Sequence, residues 1–491
     1  MEPLVRLIER FAPRLGHRLR AMGRLGDQTL PGRPTFGWAM VWFQSSFLPS
    51  QNYLIILAVV TGLLTGLGSV GFIYVLHSIS DFAREHVAEA LAIFGPAYLV
   101  LLPALGGLMV GPLINRFAKE AKGHGVPEVM TALALRGGVI RKRVAAVKVL
   151  ASSLTIGFGG TAGREGPMVQ IGAALGSTIG QLAGVTTPNL RTLVACGAAG
   201  GVAATFNAPI AGAIFSMEVL MGRIHTDFLL VMLTSLSSCI VARYYLGNYP
   251  AFVAPAYELV SPRELFLYFL MGLLAGIAAN AYVRALYKTE DFFAAWKFPD
   301  SLKPAVGGLM AGLVLRFFPE VWGAGFPAVE GALWVRFGWE MLICLFFAEI
   351  AANLATIGSG GSGGVFAPGL YMGAMLGGAY GTLVHVLFPD WTAGSGAYAM
   401  VGMAAFFAAA AKAPTTSILI LFEMTNDYRI MLPLMAAVVA SVYISHWLLP
   451  HSIYTLKLFN RGISYPYAHE DDDEGVAMKP KRIGESSVAE A

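Results

Sequence analysis

The feature that most constrains the fold is a series of apolar stretches that occupies the chain from about residue 50 to about residue 450. The clear stretches are residues 53–77, 97–115, 144–158, 226–247, 264–284, 304–317, 339–357, 395–411 and 428–449. A helix that crosses a bilayer needs roughly 20 apolar residues. Because 56% of the 491 residues are hydrophobic and 13% are charged, a soluble domain would lack the polar groups to cover its surface. The sequence predicts an all-α polytopic membrane protein.

Several other apolar segments are short or are interrupted by glycine and proline. They are residues 125–136, 167–184 and 366–387. Interrupted segments predict broken or re-entrant helices that begin or end at membrane depth. Non-helical backbone is tolerated there only where it is buried in protein or lines a cavity.

The chain also contains an internal repeat. Its first part relates Pro167, Gly172 and Gly176 to the same residue types 201 positions later, at Pro368, Gly373 and Gly377. Its second part relates Gly197, Pro209 and Glu218 to the same types 205 positions later, at Gly402, Pro414 and Glu423. Two halves, at about 50–250 and 260–460, with interrupted helices in corresponding places predict an inverted repeat and a transport site between the halves.

Three glycine-rich loops precede helix starts, at Gly123–Pro127, Gly163–Pro167 and Gly364–Pro368. Proline suits the first helical turn, and a helix N-terminus presents unpaired N–H groups with a partial positive charge. Three such ends brought together predict a site for a small permeant anion. The alternative for each loop is a re-entrant turn that serves packing alone.

These loops match the GxGxP, GREGP and GxFxP signatures of the CLC family of chloride channels and transporters, in the same order, and residues 50 to 460 resemble that family. The resemblance implies a membrane transport protein rather than an enzyme. It further implies a homodimer in the lipid bilayer with one pore per subunit, no cofactor or metal, and chloride or a similar small anion as the ligand.

By position, Glu165 resembles the family's gating glutamate, whose ionised carboxylate occupies an anion site and whose protonation opens it. The alternative for Glu165 is an ion pair with Arg164. The resemblance also implies a set of anion-binding residues around the loops. They are Gly123, His124, Gly125, Val126, Pro127, Arg164, Gly166, Val365, Phe366, Ala367 and Tyr454.

Two positions depart from the family pattern. His124 stands where chloride-selective members often have serine, so its imidazole either donates to the anion or points away. Val219 stands where proton-coupled members carry an internal glutamate, which favours passive conduction gated by Glu165 over the alternative, a chloride/proton antiporter. The neighbouring Glu218 is a proton-pathway candidate or, like Glu423, a structural helix-end contact.

The ends of the chain are polar. Residues 1–45 form a basic segment that predicts a cytoplasmic N-terminus; an RNA-binding arm is the less favoured alternative, because no aromatic residues are interleaved with the arginines. Residues 46–460 form the predicted transport domain, and residues 461–491 a short acidic cytoplasmic tail. No cleaved signal peptide is evident, no H-E-x-x-H or nucleophile-elbow motif supports a membrane enzyme, and the plasma (inner) membrane is the expected location.

Overall fold

The computed structural model describes residues 50–222, 227–248, 255–425, 427–463 and 465. These residues form eighteen α-helices. In chain order they are α1 (Ser50–Phe82), α2 (Ala88–Leu91), α3 (Tyr98–Phe117), α4 (Val126–Leu135), α5 (Arg143–Gly157), α6 (Glu165–Ala183), α7 (Thr187–Phe206), α8 (Pro209–Phe215), α9 (Phe228–Leu246), α10 (Glu264–Ala295), α11 (Lys303–Phe317), α12 (Phe326–Leu333), α13 (Trp339–Gly358), α14 (Phe366–Leu387), α15 (Ser395–Ala411), α16 (Pro414–Thr425), α17 (Met431–Leu448) and α18 (Thr455–Asn460).

Short helical segments of other geometry join or extend these helices. Two are π-helical, Ala83–Val87 and Ser216–Met221, and four are 3₁₀ segments, Ala92–Ala97, Lys119–Ala121, Pro319–Val321 and Pro389–Trp391. Apart from two isolated bridges between loops, the described backbone contains no β-structure. The all-α prediction is therefore confirmed.

Six helical stretches in the described residues are long and apolar enough to cross a membrane. They are Asn52–Phe117, Phe228–Leu246, Glu264–Ala295, Trp339–Gly358, Phe366–Leu387 and Met431–Leu448. Shorter apolar helices, such as α4 and α15, lie among them. Large apolar side chains are exposed on the outer helices, for example Ile240 on α9 and Trp447 on α17, as expected where lipid is the solvent.

The seven helices α3 to α9 of the first half correspond one by one, in chain order, to the seven helices α11 to α17 of the second half. The last helical turns of α7 and α15 end in left-handed residues of the same repeat position, Asn207 with φ 58° and Lys412 with φ 57°. Helices α3 and α11 pack reciprocally, because a methyl group at Gly107 would overlap the Pro304 carbonyl and one at Gly308 would overlap the Pro103 carbonyl. The predicted inverted repeat is confirmed by these matched contacts.

Close helix crossings hold the interrupted helices in the interior. A methyl group at Gly172 on α6 would overlap the backbone oxygen of Gly197 on α7, and Gly373 on α14 stands in the same relation to Gly402 on α15. Small residues let helix backbones approach this closely. In each half, one interrupted helix therefore packs against the helix that follows it, α6 against α7 and α14 against α15. The first residues of the interrupted helices, Glu165 and Phe366, are buried.

Contacts divide the chain into two compact units, of which the second, Gln51–Gln181 with Val185–Ala491, contains nearly all of the described residues. The second unit contains the loops from which α4, α6 and α14 begin. The predicted segment 1–45 lies outside the described residues, as does most of the predicted tail 461–491. Both segments therefore stay predictions.

Candidate functional site

The three glycine-rich loops meet at one junction. The backbone N–H of Gly123 donates to the carbonyl of Gly361 with an N···O distance of 2.9 Å. Gly163 and Gly364 exchange two backbone hydrogen bonds, at 2.8 and 2.6 Å. Each loop leads directly into a helix, so these contacts bring the N-termini of α4, α6 and α14 together, as the three loop motifs predict.

Two side chains, Lys148 and Ser362, hold the backbone at the first loop in place through hydrogen bonds. Lys148 of α5 is fully buried, and its Nζ donates to the carbonyl oxygens of Ala121 and Gly123, at 3.1 and 2.7 Å. Ser362 Oγ donates to the same Ala121 carbonyl at 2.8 Å. The lysine therefore fixes the first loop and adds a positive charge beside the helix N-termini.

A small cavity lies at the junction. Its volume of about 10 Å³ is at the lower limit of what holds one ordered water molecule. The residues that line it are His124, Val126, Glu165, Gly166, Val169, Val202, Phe215, Val365, Phe366 and Tyr454. Three of them, His124, Glu165 and Tyr454, carry titratable groups, and the rest present backbone or apolar surface.

Glu165 is the first residue of α6, and its side chain is 1% exposed. Neither carboxylate oxygen has a hydrogen-bond partner among the described residues. The carboxylate lies against Gly163, where a side chain would collide with it, and interacts electrostatically with the backbone amide of Ala367. A buried acidic group without a partner is costly in a membrane protein and marks a functional position.

Tyr454, the residue before α18, closes the cavity on one side. Its ring is 2% exposed and lies 5.8 Å from the His124 ring, centroid to centroid. It meets the Phe215 ring edge-on at 6.4 Å. The backbone N–H of Tyr454 donates to Ser452 Oγ at 3.2 Å, so the C-terminal segment is held where the phenol faces the site.

Most of the predicted anion-binding residues are at this place. His124, Val126, Gly166, Val365, Phe366 and Tyr454 line the cavity, while Gly123, Gly125, Pro127 and Ala367 form the loop backbone around it. Arg164 is the exception, because its guanidinium lies over the Phe326 ring, 5.1 Å from the centroid, and is not among the cavity-lining residues.

The imidazole of His124 is held by a residue that sequence reasoning missed. Its Nε2 lies 3.3 Å from the hydroxyl of Tyr287 on α10, and that hydroxyl donates to the backbone oxygen of Ile453. The other ring nitrogen, Nδ1, is buried and has no partner among the described residues. One tyrosine in a long apolar helix, 163 positions away, gives no signal in the sequence.

Glu218 and Glu423 lie outside the cavity lining and form crossed helix caps. The Glu218 carboxylate accepts from the backbone N–H groups of Thr415 and Thr416 at the start of α16, at 3.1 and 2.8 Å. The Glu423 carboxylate accepts from Ile210 and Ala211 at the start of α8, at 3.1 and 2.7 Å. Of the two alternatives for Glu218, this geometry favours the structural contact.

A fourth loop repeats the first and was also missed. Gly323–Pro327 precedes α12 with the same Gly-x-Gly-x-Pro pattern, 200 positions after Gly123–Pro127. The Gly323 carbonyl accepts from the Ala162 N–H at 3.0 Å, but none of its residues lines the cavity. The signal was present in the sequence, since the offset of 200 differs by one residue from the offset of 201 between Pro167 and Pro368.

A larger cleft of about 470 Å³ lies beside the first loop. Six of its lining side chains are cationic and two are acidic, a balance that raises the local concentration of anions. The cations are Arg116, Lys119, Arg136, Arg141, Arg143 and Arg461. Burial alone would raise the pKa of the Glu120 carboxyl in this cleft, but the hydrogen bond from Arg141 and the charges of Arg141 and Arg136 together outweigh it, and the pKa lies below its ordinary value.

Comparison with known proteins agrees with the sequence resemblance. The profile of the family described as voltage gated chloride channel matches residues 106–446. A protein of Ralstonia nicotianae named "Putative chloride channel protein ClcB-like" is 37% identical over 73% of this chain and 85% of its own length. The "H(+)/Cl(-) exchange transporter ClcA" of Vibrio campbellii is 31% identical over 86% of this chain and 92% of its own length.

The fold is also similar to that of solved structures. A slow cyanobacterial Cl⁻/H⁺ antiporter superposes with a TM-score of 0.77 and 28% identity, covering 85% of this chain and 99% of the antiporter. A CLC-type fluoride/proton antiporter superposes with a TM-score of 0.69, covering 83% of this chain and 98% of that chain, but at 23% identity it shares the fold alone.

Proposed function

This chain belongs to the voltage-gated chloride channel family, and from that premise we propose that it is a membrane transporter that exchanges chloride for protons. The proposal is supported by relatives named as H⁺/Cl⁻ exchange transporters that are 31% to 32% identical over most of their length. The passive conduction that Val219 predicts from the sequence becomes the second candidate.

The single observation that carries the proposal is the Glu165 carboxylate in the cavity, which is buried and has no hydrogen-bond partner among the described residues. An ionised carboxylate competes with an anion for the same helix N-termini, since both are negative charges. Protonation removes that competition, so the neutral side chain leaves the anion site with its proton and the anion takes the place that it vacates. One group thereby couples the two movements.

The anion is bound mainly by partial charges. The N-termini of α4, α6 and α14 direct backbone N–H groups to the centre, and the Tyr454 hydroxyl supplies a neutral donor. The Lys148 ammonium lies behind the first loop, where carbonyl oxygens share its hydrogen-bonding capacity. A site built in this way binds an ion strongly enough to dehydrate it and weakly enough to release it.

The proton route away from Glu165 has no free carboxylate at positions 218 and 219. Val219 cannot carry a proton, and the Glu218 carboxylate is engaged with the start of α16. This is the specific observation that favours passive conduction as the second candidate. Under the exchange proposal, protons pass between Glu165 and the region of Val219 through water rather than through a side chain at position 219.

The test is the reversal potential of purified protein reconstituted into proteoliposomes, with chloride and proton gradients set separately. For exchange, the reversal potential is expected between the chloride and proton Nernst potentials, and a chloride gradient drives protons uphill. A reversal potential that follows chloride alone would establish passive conduction. Absence of anion flux in liposomes that hold correctly folded protein would contradict both candidates.

We further propose a homodimer with one pore per subunit, located in the inner membrane with both termini cytoplasmic, as the sequence predicts. Bacterial relatives support the inner membrane. Mass measurement in detergent tests the dimer. Labelling of single cysteines placed near each end in intact cells tests the orientation of the termini.

A further inference from the structure

The hydrogen bonds around His124 determine which of its nitrogens carries a proton when the ring is neutral. A tyrosine hydroxyl has one proton to donate and can accept through its lone pairs. The Tyr287 hydroxyl donates to the Ile453 carbonyl, which has no proton to offer in return. The contact between Tyr287 and His124 Nε2 at 3.3 Å therefore requires that Nε2 carries the hydrogen.

This arrangement leaves Nδ1 as a bare acceptor in the neutral ring. Nδ1 is buried, has no partner among the described residues, and belongs to a ring that lines the cavity. A bare lone pair repels an anion, whereas a protonated Nδ1 donates a charge-assisted hydrogen bond to it. The neutral tautomer that Tyr287 selects is thus the wrong one for an anion ligand.

We infer that His124 takes up a proton on Nδ1 when an anion binds, so that chloride affinity is linked to pH at His124 separately from Glu165. This inference rests on the proposed function, because it assigns the cavity to an anion. In the empty site the imidazole stays neutral, and chloride recruits the proton by pairing with the imidazolium that it creates.

The charges around the ring fit this sequence of events. Lys148 on α5, Lys457 on α18 and Arg461 after it are the cations within electrostatic range of the imidazole, and they oppose a further positive charge in the empty site. Lys457 is paired with Glu290 at 3.2 Å and Arg461 with Glu128 at 2.8 Å. Across the cavity are Glu165 of α6 and the Tyr454 phenol, and on α10 the Tyr287 phenol.

Chloride binding to the purified protein, measured by calorimetry between about pH 5 and pH 9, tests the inference. The measurement uses Glu165→Gln protein, so that titration of the gate does not contribute. We expect the dissociation constant for chloride to rise with pH, approaching about tenfold per unit at the alkaline end, and proton uptake to appear as a dependence on buffer ionisation enthalpy. A dissociation constant that is constant over this range would overturn the inference.

Three variants in the Glu165→Gln background separate the parts of the argument. His124→Asn places a neutral N–H donor near the Nδ1 position, so the pH dependence should disappear with binding retained. His124→Gln offers its donor towards Tyr287 instead and should weaken binding at every pH. Tyr287→Phe allows the neutral ring to carry its hydrogen on Nδ1, so the chloride affinity at high pH should recover towards its low-pH value. If the chloride dissociation constant of the Tyr287→Phe protein kept the same dependence on pH, Tyr287 would not select the tautomer of His124.

Thermal melting and size-exclusion profiles of each variant establish that it is folded before binding is compared. The inference and the proposed function fail differently. Protein that exchanges chloride for protons in liposomes but binds chloride independently of pH in the Glu165→Gln background overturns the role of His124 alone. Protein that neither transports nor binds chloride overturns the proposed function.

Discussion

The two halves of the molecule share a backbone and differ in the chemistry that they bring to the site. Each half begins two interior helices from a glycine-rich loop, α4 and α6 in the first, α12 and α14 in the second. The first half carries His124 and Glu165 in these loops, and the repeat positions in the second half carry Ala324 and Phe366. Two of the three titratable groups that line the cavity therefore come from the loops of the first half, and the third, Tyr454, precedes α18 at the end of the second half.

The features that both halves retain have structural explanations in the contacts. Glu218 and Glu423 each cap the start of a helix in the other half, α16 and α8 respectively, and the glycines at the α6–α7 and α14–α15 crossings each face a backbone oxygen. The comparison teaches that a repeated residue supports the scaffold, whereas a residue that breaks the repeat at the cavity is a candidate for function. The following predictions test that division.

The largest expected effect is at the gate. Glu165→Gln should abolish proton coupling, because glutamine cannot release a proton, while chloride flux continues and loses the part of its pH dependence that comes from Glu165. Proton and chloride fluxes in proteoliposomes give the measurement. Glu423→Gln, which changes a carboxylate outside the cavity lining, is the control and should retain coupling. Persistent uphill proton movement in the Glu165→Gln protein would remove Glu165 from the proton route.

Substitutions at the helix crossings come next. Gly172→Ala and Gly373→Ala should each destabilise the protein by about 1–3 kcal/mol, because the added methyl group meets backbone that cannot move independently. Thermal melting of detergent-solubilised protein measures both. Gly71, whose added methyl would meet nothing within 4 Å, provides the control as Gly71→Ala. Loss of stability in one half only would show that the crossings are not equivalent.

The crossed caps should respond more moderately and equally. Glu218→Gln and Glu423→Gln should each lower stability by about 1–2 kcal/mol, since an amide replaces one of the two accepting oxygens with a donor. Proton-to-chloride stoichiometry should be the same in both variants. A coupling defect in Glu218→Gln that is absent from Glu423→Gln would return Glu218 to the proton pathway.

The smallest effect is expected at the fourth loop. Ala324→Ser should leave stability within about 0.5 kcal/mol and leave anion selectivity as it is, because Ala324 lies outside the cavity lining. His124→Ser, at the repeat-related position, should change the relative permeabilities of chloride and nitrate. Bi-ionic reversal potentials compare the two proteins; a selectivity change in Ala324→Ser would break the proposed division between the halves.

Much of the fold was predictable from local pattern. Proline and glycine before an apolar run predict a helix start wherever they occur, because their effects are confined to a few residues. The starts of α6 and α14 fall at Glu165 and Phe366 as the motifs indicate. The repeat offset then predicted which starts are related by symmetry.

Other parts of the site were not predictable in this way. Arg164 follows Gly163 in the loop motif, yet its side chain turns to Phe326 rather than to the cavity. Tyr287 and Lys148 reach the first loop from helices far away in the chain. Such contacts depend on how helices pack, and a single sequence contains no measure of the distance between them.

The sequence by itself determined a helical membrane protein with two related halves and three helix starts suited to an anion, because hydropathy and the effects of glycine and proline act over short ranges. Only the tertiary structure decided that Tyr287 contacts Nε2 of His124, that Nδ1 has no partner within the described part of the chain, and that Glu218 caps a helix of the other half. Hydrogen-bond partners are selected by three-dimensional distance and direction, which arise only after the helices have packed.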